Sequence, residues 1–516
     1  MEKEKKKINM PVGELVDLIF AQATKGTGIC FYLLMMYASY IANEAYGIPV
    51  ALAGMIITGT RIFDGITDPI VSAIFDRIKF KKIGKIRFFN LVGWAIAGLA
   101  CVLMYHWAAG KFSGTMGVIV FIIIYVMYII GYTMKTMAGA VVGIAITRDP
   151  KVRSLTQLVG TCYQYFVPMI FQTFIAFAVL PRYDDQYNAA MLKEACYWHV
   201  LGAFILLMLS FIGLRRVDKP EMFESLNSAK GKKEKITFRD MVNLLKGNRP
   251  MQMWVITGAS DKLASQTAST SIVLTIINGI LIGNYQASTM MGNFTTIASL
   301  AFLAIGSVYN IKYGAKRTTR DWSWYSIIIS VVMIVFCVIL GPHGMSSITV
   351  NPIPTIIYIV LMLLLTGTKM TLTSTSMVMR ADVVDYWMSE TGDYMPGTVS
   401  GVYSLIDKII GSFSTTVAAF CIAFIGYKNV MPQKGDPVTT PLFVMGLFLM
   451  FGLPVLGWVC NIVAMKFYKL DKATMERIQA DISERKAQAK AEKAKEQEEA
   501  YKKIDNIVDK DNKEEQ

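Results

Sequence analysis

The chain has 516 residues, 53% of them hydrophobic and only 17% charged, a balance that a soluble domain of this size could not present to water without aggregating. Its formal net charge of +14 does not signal nucleic-acid binding, because the basic residues punctuate the gaps between hydrophobic runs and gather on no single domain. A lipid bilayer is the expected surrounding, and at roughly 20 residues per crossing the chain holds material for about twelve spans plus tails.

In chain order, the apolar runs predict helices over 14–44, 48–76, 87–107, 115–147, 154–180 and 194–215, then 250–282, 287–312, 322–341, 353–380, 398–426 and 440–468. The basic residues between them alternate. Lys3, Lys5, Lys6 and Lys7 precede the first span, Arg77 to Arg87 separate the second from the third, and Arg148, Lys151 and Arg153 separate the fourth from the fifth. The long connection from Arg215 to Arg249, the cluster Lys312, Lys316, Arg317 and Arg320, and the tail continue that series, while the alternate gaps hold little basic charge. By the positive-inside rule both termini and the central loop are expected in the cytoplasm. No small-residue cleavage site follows a short apolar core at the N-terminus, so the first span is expected to be retained.

The polar run 216–249 divides the chain into two sets of six spans, 1–215 and 250–469, an arrangement that suggests two six-helix bundles around a central cavity. Residues 470–516, rich in Lys, Glu, Ala and Gln, read as a charged, solvated helix that frays, with no sustained apolar face. The seven cysteines lie in or beside apolar segments without CxxC spacing, which indicates neither a disulfide scaffold nor a zinc site.

Ionisable groups inside spans are costly unless they pair or line a wet cavity, so each is a candidate for function. The densest group is on the second span, where Arg61, Asp64 and Asp68 recur at i, i+3 and i+7 and share one helical face. Two carboxylates one turn apart repel each other, and a monovalent cation, a proton or a basic partner relieves that repulsion. Over all spans the basic residues Lys25, Arg61, Lys135, Lys262, Lys369 and Lys408 outnumber the acidic Asp64, Asp68, Asp261 and Asp407. A net-positive cavity that takes an anionic substrate, such as a hexuronide, is one expectation from that count; snorkelling lysines are the other. Spacing also brings Tyr403, Asp407 and Lys408 close together on the eleventh span, and Tyr32 and Tyr163 are among the aromatic residues able to stack on a sugar.

The stretch Arg61-Ile62-Phe63-Asp64-Gly65-Ile66-Thr67-Asp68-Pro69, followed by the basic loop, resembles the signature of the glycoside-pentoside-hexuronide:cation symporters, the group that includes melibiose permease. Ala381-Asp382-Val383-Val384-Asp385-Tyr386, after the tenth span, is similar to a second motif of that family. The resemblance implies an all-α membrane protein of the major-facilitator fold that is not an enzyme and needs no cofactor. It implies a transporter in the bacterial cytoplasmic membrane, driven by Na⁺, Li⁺ or H⁺.

By the same resemblance Asp64 and Asp68 are cation-site aspartates able to hold Na⁺, with Thr133 as a hydroxyl ligand and Thr67 where melibiose permease has asparagine. Sugar-site residues transfer less directly, because the positions aligned with that permease's acidic and basic sugar ligands are Gly26, Thr136 and Tyr163. The expected substrate site comprises Lys25, Tyr32, Thr136, Tyr163, Tyr403, Asp407 and Lys408, and the expected substrate is a sugar or glycoside other than a simple galactoside. Asp76, Arg77 and the loop 79–87 would face Arg380, Asp382 and Asp385 under pseudo-symmetry, near Arg148, as a charge latch of the outward-open state. A lysolipid carrier of the same fold and a transport-dead sensor are the alternatives; an intramembrane aspartyl enzyme would need a Gly-x-Gly-Asp context that is absent.

Overall fold

The computed structural model describes residues 11–77, 83–145, 150–218, 245–392 and 396–484, and within them every regular element is helical. Each uninterrupted apolar run closes its backbone hydrogen bonds within itself, the condition a helix meets in lipid. The first six spans are α1 (Val12–Met35, continued by Ala38–Tyr46), α2 (Val50–Arg77), α3 (Lys85–Val102 with Leu103–Trp107), α4 (Gly114–Ala145), α5 (Pro150–Phe174 with Ile175–Val179) and α6 (Ala189–Leu214). The second six are α7 (Arg249–Ala268, then Ser271–Leu274 and Thr275–Leu281), α8 (Tyr285–Tyr313), α9 (Ala315–Gly344), α10 (Pro352–Thr391), α11 (Pro396–Phe424) and α12 (Thr440–Leu447 through Leu453–Phe467). Asparagine or threonine side chains start several of them, as where Asn248 accepts from the Met251 amide at 2.9 Å and Asn284 from that of Ala287 at 2.9 Å. Ten helical segments among the described residues are long and apolar enough to cross a membrane; α2 and α7 are not among the ten.

Two regions, the end of α10 and the tail, differ from the sequence expectation. Helix α10 runs through Thr391, 40 residues and about 60 Å at 1.5 Å per residue, so Asp382 and Asp385 sit on a helical extension and not in a loop. The 3.6-residue pattern simply continues past the end of the hydrophobic run. In α9 the break falls at Gly341, the expected end of the span, because its φ of 70° leaves the helical region just before Pro342. The tail is not uniformly solvated: residues 472–484 form a helix whose Met475, Ile478 and Ile482 are buried with Trp254, Met379 and Val383 of the second bundle. That i, i+3, i+7 stripe is an apolar face too short to stand out among lysines and glutamates.

Within the first bundle α1 packs on α6 and α5, and α3 on α4; within the second α7 packs on α12, and α10 on α8 and α9. Across the two bundles the main contact is α2 against α11, with a lesser one of α5 against α8. Small residues set the α2–α11 approach. A Cβ on Gly54 would lie 2.9 Å from the Ala419 Cβ and 3.1 Å from the Thr416 Cα, and one turn on Thr58 shares a 2.6 Å hydrogen bond with Thr416.

Among the described residues, the hydrogen bonds between bundles lie at mid-depth or toward the face opposite the termini. There Tyr40 donates to the Pro432 carbonyl (2.8 Å), Asn43 to that of Asn429 (2.8 Å), and Lys434 pairs with Asp185 at 2.5 Å while Gln286 donates to the same carboxylate. The molecule is closed on that face. A Thr58→Cys/Thr416→Cys pair is therefore expected to form a disulfide under mild oxidation, read as retention of the two halves in one band after cleavage at a site inserted between them. Adding Gly54→Leu, an overpacking change of about 1–3 kcal/mol, should lower that yield several-fold; equal yield would contradict the close helix contact.

Candidate transport site

Helix α2 presents Asp64 and Asp68 one turn apart, and α4 supplies Thr133 beside them. The Thr133 hydroxyl donates to Asp64 Oδ1 at 2.6 Å, and the Thr67 hydroxyl donates to the Asp64 carbonyl at 3.1 Å and lies 3.5 Å from Thr133. From the other bundle, Lys408 on α11 brings its ammonium to both carboxylates, 3.4 Å from Asp64 Oδ2 and in direct contact with Asp68 Oδ2. Two carboxylates thus share one ammonium contributed by the opposite half of the molecule. The hydroxyls and carboxylate oxygens form a hard-oxygen set of the kind that suits a small cation. Among the described residues no group of three His, Cys, Asp or Glu is placed to hold a metal ion.

The shared ammonium forms one wall of a cavity of about 260 Å³ between the bundles, lined by Tyr32, Arg61, Asp64, Tyr125, Tyr128, Ile129, Tyr132, Lys262, Gln266, Asp407, Lys408, Gly411 and Ser412. Inside it Lys262 pairs with Asp407 at 3.1 Å, and the Tyr32 hydroxyl donates to Gln266 Oε1 at 3.0 Å across the bundle interface. The Arg61 guanidinium stands 5.9 Å from the Tyr32 ring centroid and beside Tyr125. Toward the closed face lies a second cavity of about 240 Å³ with Tyr37, Tyr187, Tyr285, Asn278 and Asn293 in its walls, and Tyr32–Gln266 and a Ser271 bond to the Met36 carbonyl (2.7 Å) stand between the two.

The structure thus brings Asp64, Thr67, Asp68 and Thr133 together, with Lys408 in their midst and also in the wall of the cavity. Tyr32 and Asp407 line the cavity. Tyr403 does not: its ring stacks on Trp254 (4.2 Å, 11°) inside the second bundle, against Gly258. Four residues after Tyr403 places Asp407 on nearly the same face, but Tyr403 lies a turn nearer the termini, where α11 packs on α7. Lys25 extends along α1 toward Gly139 and Gly160, Tyr163 packs on Gly26, and exposed Thr136 donates to the Thr133 carbonyl, all outside the cavity walls. Of the latch residues, Arg148 and the side chains of Asp76 and Arg77 lie outside the described residues. Arg380 is exposed, and burial together with the neighbouring Asp385 pushes the Asp382 carboxyl up to about 7. Lys262, counted from the sequence among the intramembrane charges, and Tyr128, one of the span aromatics, also line the site, and Gln266, Tyr125 and Tyr132 complete it without having been selected from the sequence; the i, i+4 pair Lys262 and Gln266 on a span was the available signal.

A family model described as MFS/sugar transport protein matches residues 19–472. The chain belongs to that family. The putative glycoside/cation symporter YagG of Escherichia coli (strain K12) is similar over 476 residues at 23% identity, covering 90% of this chain and 94% of that protein. The uncharacterized symporter YjmB of Bacillus subtilis (strain 168) is 23% identical over 477 residues, with 89% and 93% covered. Among solved structures, a bacterial homologue of the human lysosomal transporter Spinster, inward-facing and unoccupied, superposes with TM-score 0.59 at 13% identity over 91% of this chain and 99% of that one. The nucleoside transporter NupG superposes with TM-score 0.56 at 10% identity over 89% and 100%. This member of the family is accordingly a multi-pass membrane transporter of the major-facilitator type and not an enzyme.

Removing the shared ammonium leaves two neighbouring carboxylates in a confined site. Breaking a fully buried pair typically costs about 3–5 kcal/mol, and partial exposure of Lys408 reduces this to roughly 1–3 kcal/mol. Lys408→Met is expected to lower the melting temperature in detergent by several degrees, and adding Asp68→Asn to recover most of the loss. Strictly additive losses would show that the three charges do not act as one group.

Proposed function

We propose that this family member is a secondary active symporter that couples inflow of one monovalent cation, Na⁺, Li⁺ or H⁺, to uptake of a sugar or glycoside by alternating access. The alternation of basic and non-basic gaps supports a cytoplasmic position for both termini, which makes the closed face extracellular and the conformation an inward-facing one. The observation that carries the reading is the pair of first-bundle carboxylates bridged by a second-bundle lysine at the cavity wall. Named symporters among its relatives support the same reading.

The mechanism follows from electrostatics. Opposite charges 4 Å apart attract by about 4 kcal/mol at an effective dielectric constant of 20, so the aspartates always need a positive partner. In the inward-facing state Lys408 is that partner, and it ties the two bundles together. In the outward-facing state a cation from outside takes its place between Asp64 and Asp68, with Thr133 and Thr67 as neutral oxygen ligands, or a proton takes one carboxylate. The freed Lys408 then faces the cavity, where Tyr32, Tyr125, Tyr128 and Tyr132 offer rings to a sugar's C–H faces and Gln266 and Ser412 offer polar groups to its hydroxyls. After the bundles rock, the ammonium returns to the aspartates, displaces the cation into the cytoplasm and resets the empty carrier. Cation and sugar affinity are thereby linked in both directions.

The test is uptake into proteoliposomes under separate Na⁺, Li⁺ and H⁺ gradients with a panel of glycosides. One gradient should drive accumulation in wild type, and Asp64→Asn and Asp68→Asn should each reduce it by about tenfold or more, the loss of one charge–cation contact. Undiminished accumulation in both variants would overturn the cation assignment.

A further inference from the structure

The second cavity, about 240 Å³ on the closed side of the Tyr32–Gln266 bond, differs in chemistry from the central one. Arg61, Asp64, Lys262, Asp407 and Lys408 line the central cavity, whereas no Lys, Arg, Asp or Glu is among the described residues that line the second. The rings of Tyr37, Phe171, Tyr187, Tyr285 and Tyr358 and four methionines make up much of its wall, an apolar surface that adjusts to the outline of a guest. Its polar groups are uncharged, and two lack partners. His199 is buried, with Nδ1 2.7 Å from the Ala195 carbonyl. A carbonyl only accepts, so Nδ1 carries the hydrogen, and the neutral ring keeps Nε2 as an acceptor that no described residue engages. The buried Ser288 hydroxyl likewise has no hydrogen-bond partner among the described residues, and an unmatched polar group of this kind is a cost that a guest's hydroxyl would relieve. Both bundles build the chamber: Phe171 and His199 come from the first, Asn278, Ser288 and Met362 from the second. Asn293 on α8 also donates to Thr173 on α5 at 2.7 Å, and Gln286 donates to the Ala176 carbonyl at 3.0 Å. The chamber is therefore complete only in the closed arrangement of that face.

With the symport reading as the premise for its effect on transport, the geometry points to a second binding site, for a small neutral aromatic ring bearing one or two hydroxyls, a phenol or aryl alcohol. Its occupancy holds the extracellular face closed and slows the transport cycle. Neutrality follows from walls without a countercharge, where a carboxylate or ammonium would be buried unpaired. Size follows from volume: an apolar cavity of roughly 150 Å³ takes benzene, so this one has room for a ring with small substituents. A sugar suits the chamber less, because each of its hydroxyls needs a partner and most of the wall is rings, thioethers and alkyl groups. The effect on transport is linkage. A guest that touches both bundles binds their closed arrangement better than the parted one, so it shifts the population toward the inward-facing carrier. It enters while the face is open, is enclosed when the face shuts, and opposes the return to the state that loads cation and sugar.

The experiment measures binding of radiolabelled para-hydroxybenzyl alcohol to the purified protein in detergent by equilibrium dialysis, beside para-hydroxybenzoate, the same ring with a carboxylate. Cation-driven sugar uptake into proteoliposomes is then measured with the alcohol present. The expected result is saturable binding of one alcohol per chain, weaker by about tenfold or more for the benzoate, and a fall in the maximal uptake rate with the sugar KM unchanged. Gly292 lines the chamber, and a Cβ there would meet nothing within 4 Å, so Gly292→Leu fills the space without displacing a neighbour. It should abolish both binding and inhibition while retaining uptake. Ser288→Ala should weaken binding several-fold, the loss of one hydrogen bond, and it keeps the inference exposed where Gly292→Leu does not fold. Equal binding of the benzoate, unchanged binding in both variants, a raised sugar KM in place of a lowered rate, or full uptake at saturating alcohol would each overturn the inference and leave symport standing. Absence of cation-driven uptake of any sugar would overturn the symport reading, while the dialysis result still decides the site.

Discussion

One ammonium between two carboxylates, contributed from opposite halves of the molecule, is the constraint around which the rest is arranged. Neither Asp64 with Asp68 nor Lys408 is tolerable at mid-membrane depth alone, and together they leave one negative charge without a partner on their own helices. The same contact joins α2 to α11, the principal seam between the bundles. A group that exchanges its partner there changes the stability of the seam as well as the charge of the site, which is how a small ion can bias a movement of whole bundles.

The bundles are suited to move as units because each carries a hydrogen-bond network of its own in its interior. In the first, Asn90 accepts from Thr27 and Lys135 and donates to Ser210. In the second, Asn461 donates to Asp261 (2.9 Å) and Ser323, and Ser260 donates to Asn461. Such networks have one satisfied arrangement and resist internal shear. The seam between the bundles is built differently, from glycine, alanine and threonine near the closed face, where helices can approach and part without leaving large side chains unpacked.

The architecture was legible because lipid imposes long apolar runs, and alternating basic gaps order them. The ion site was legible in part: helical spacing puts Asp64 and Asp68 on one face, and the family motif points to Thr133. The role of Lys408 was not, since its partners lie more than 300 residues away and nothing local distinguishes a lysine that serves a substrate from one that serves two aspartates. Tyr403 shows the limit of spacing: residues on one face still differ in depth, and Trp254 takes its ring. Counting charge along the spans suggested a basic cavity, whereas only the fold shows that Lys25, Lys135 and Lys369 are housed elsewhere. The short apolar stripe of 472–484 was hidden by the charge around it.

The exchange of partners at the aspartates is the central claim, and an experimental structure under the cation or proton concentration that saturates uptake tests it most directly. The account predicts that the Lys408 ammonium then stands beyond about 4 Å from both carboxylates, outside ion-pair distance, with the cation or an added proton in its place. An ammonium still bridging Asp64 and Asp68 under those conditions would contradict it.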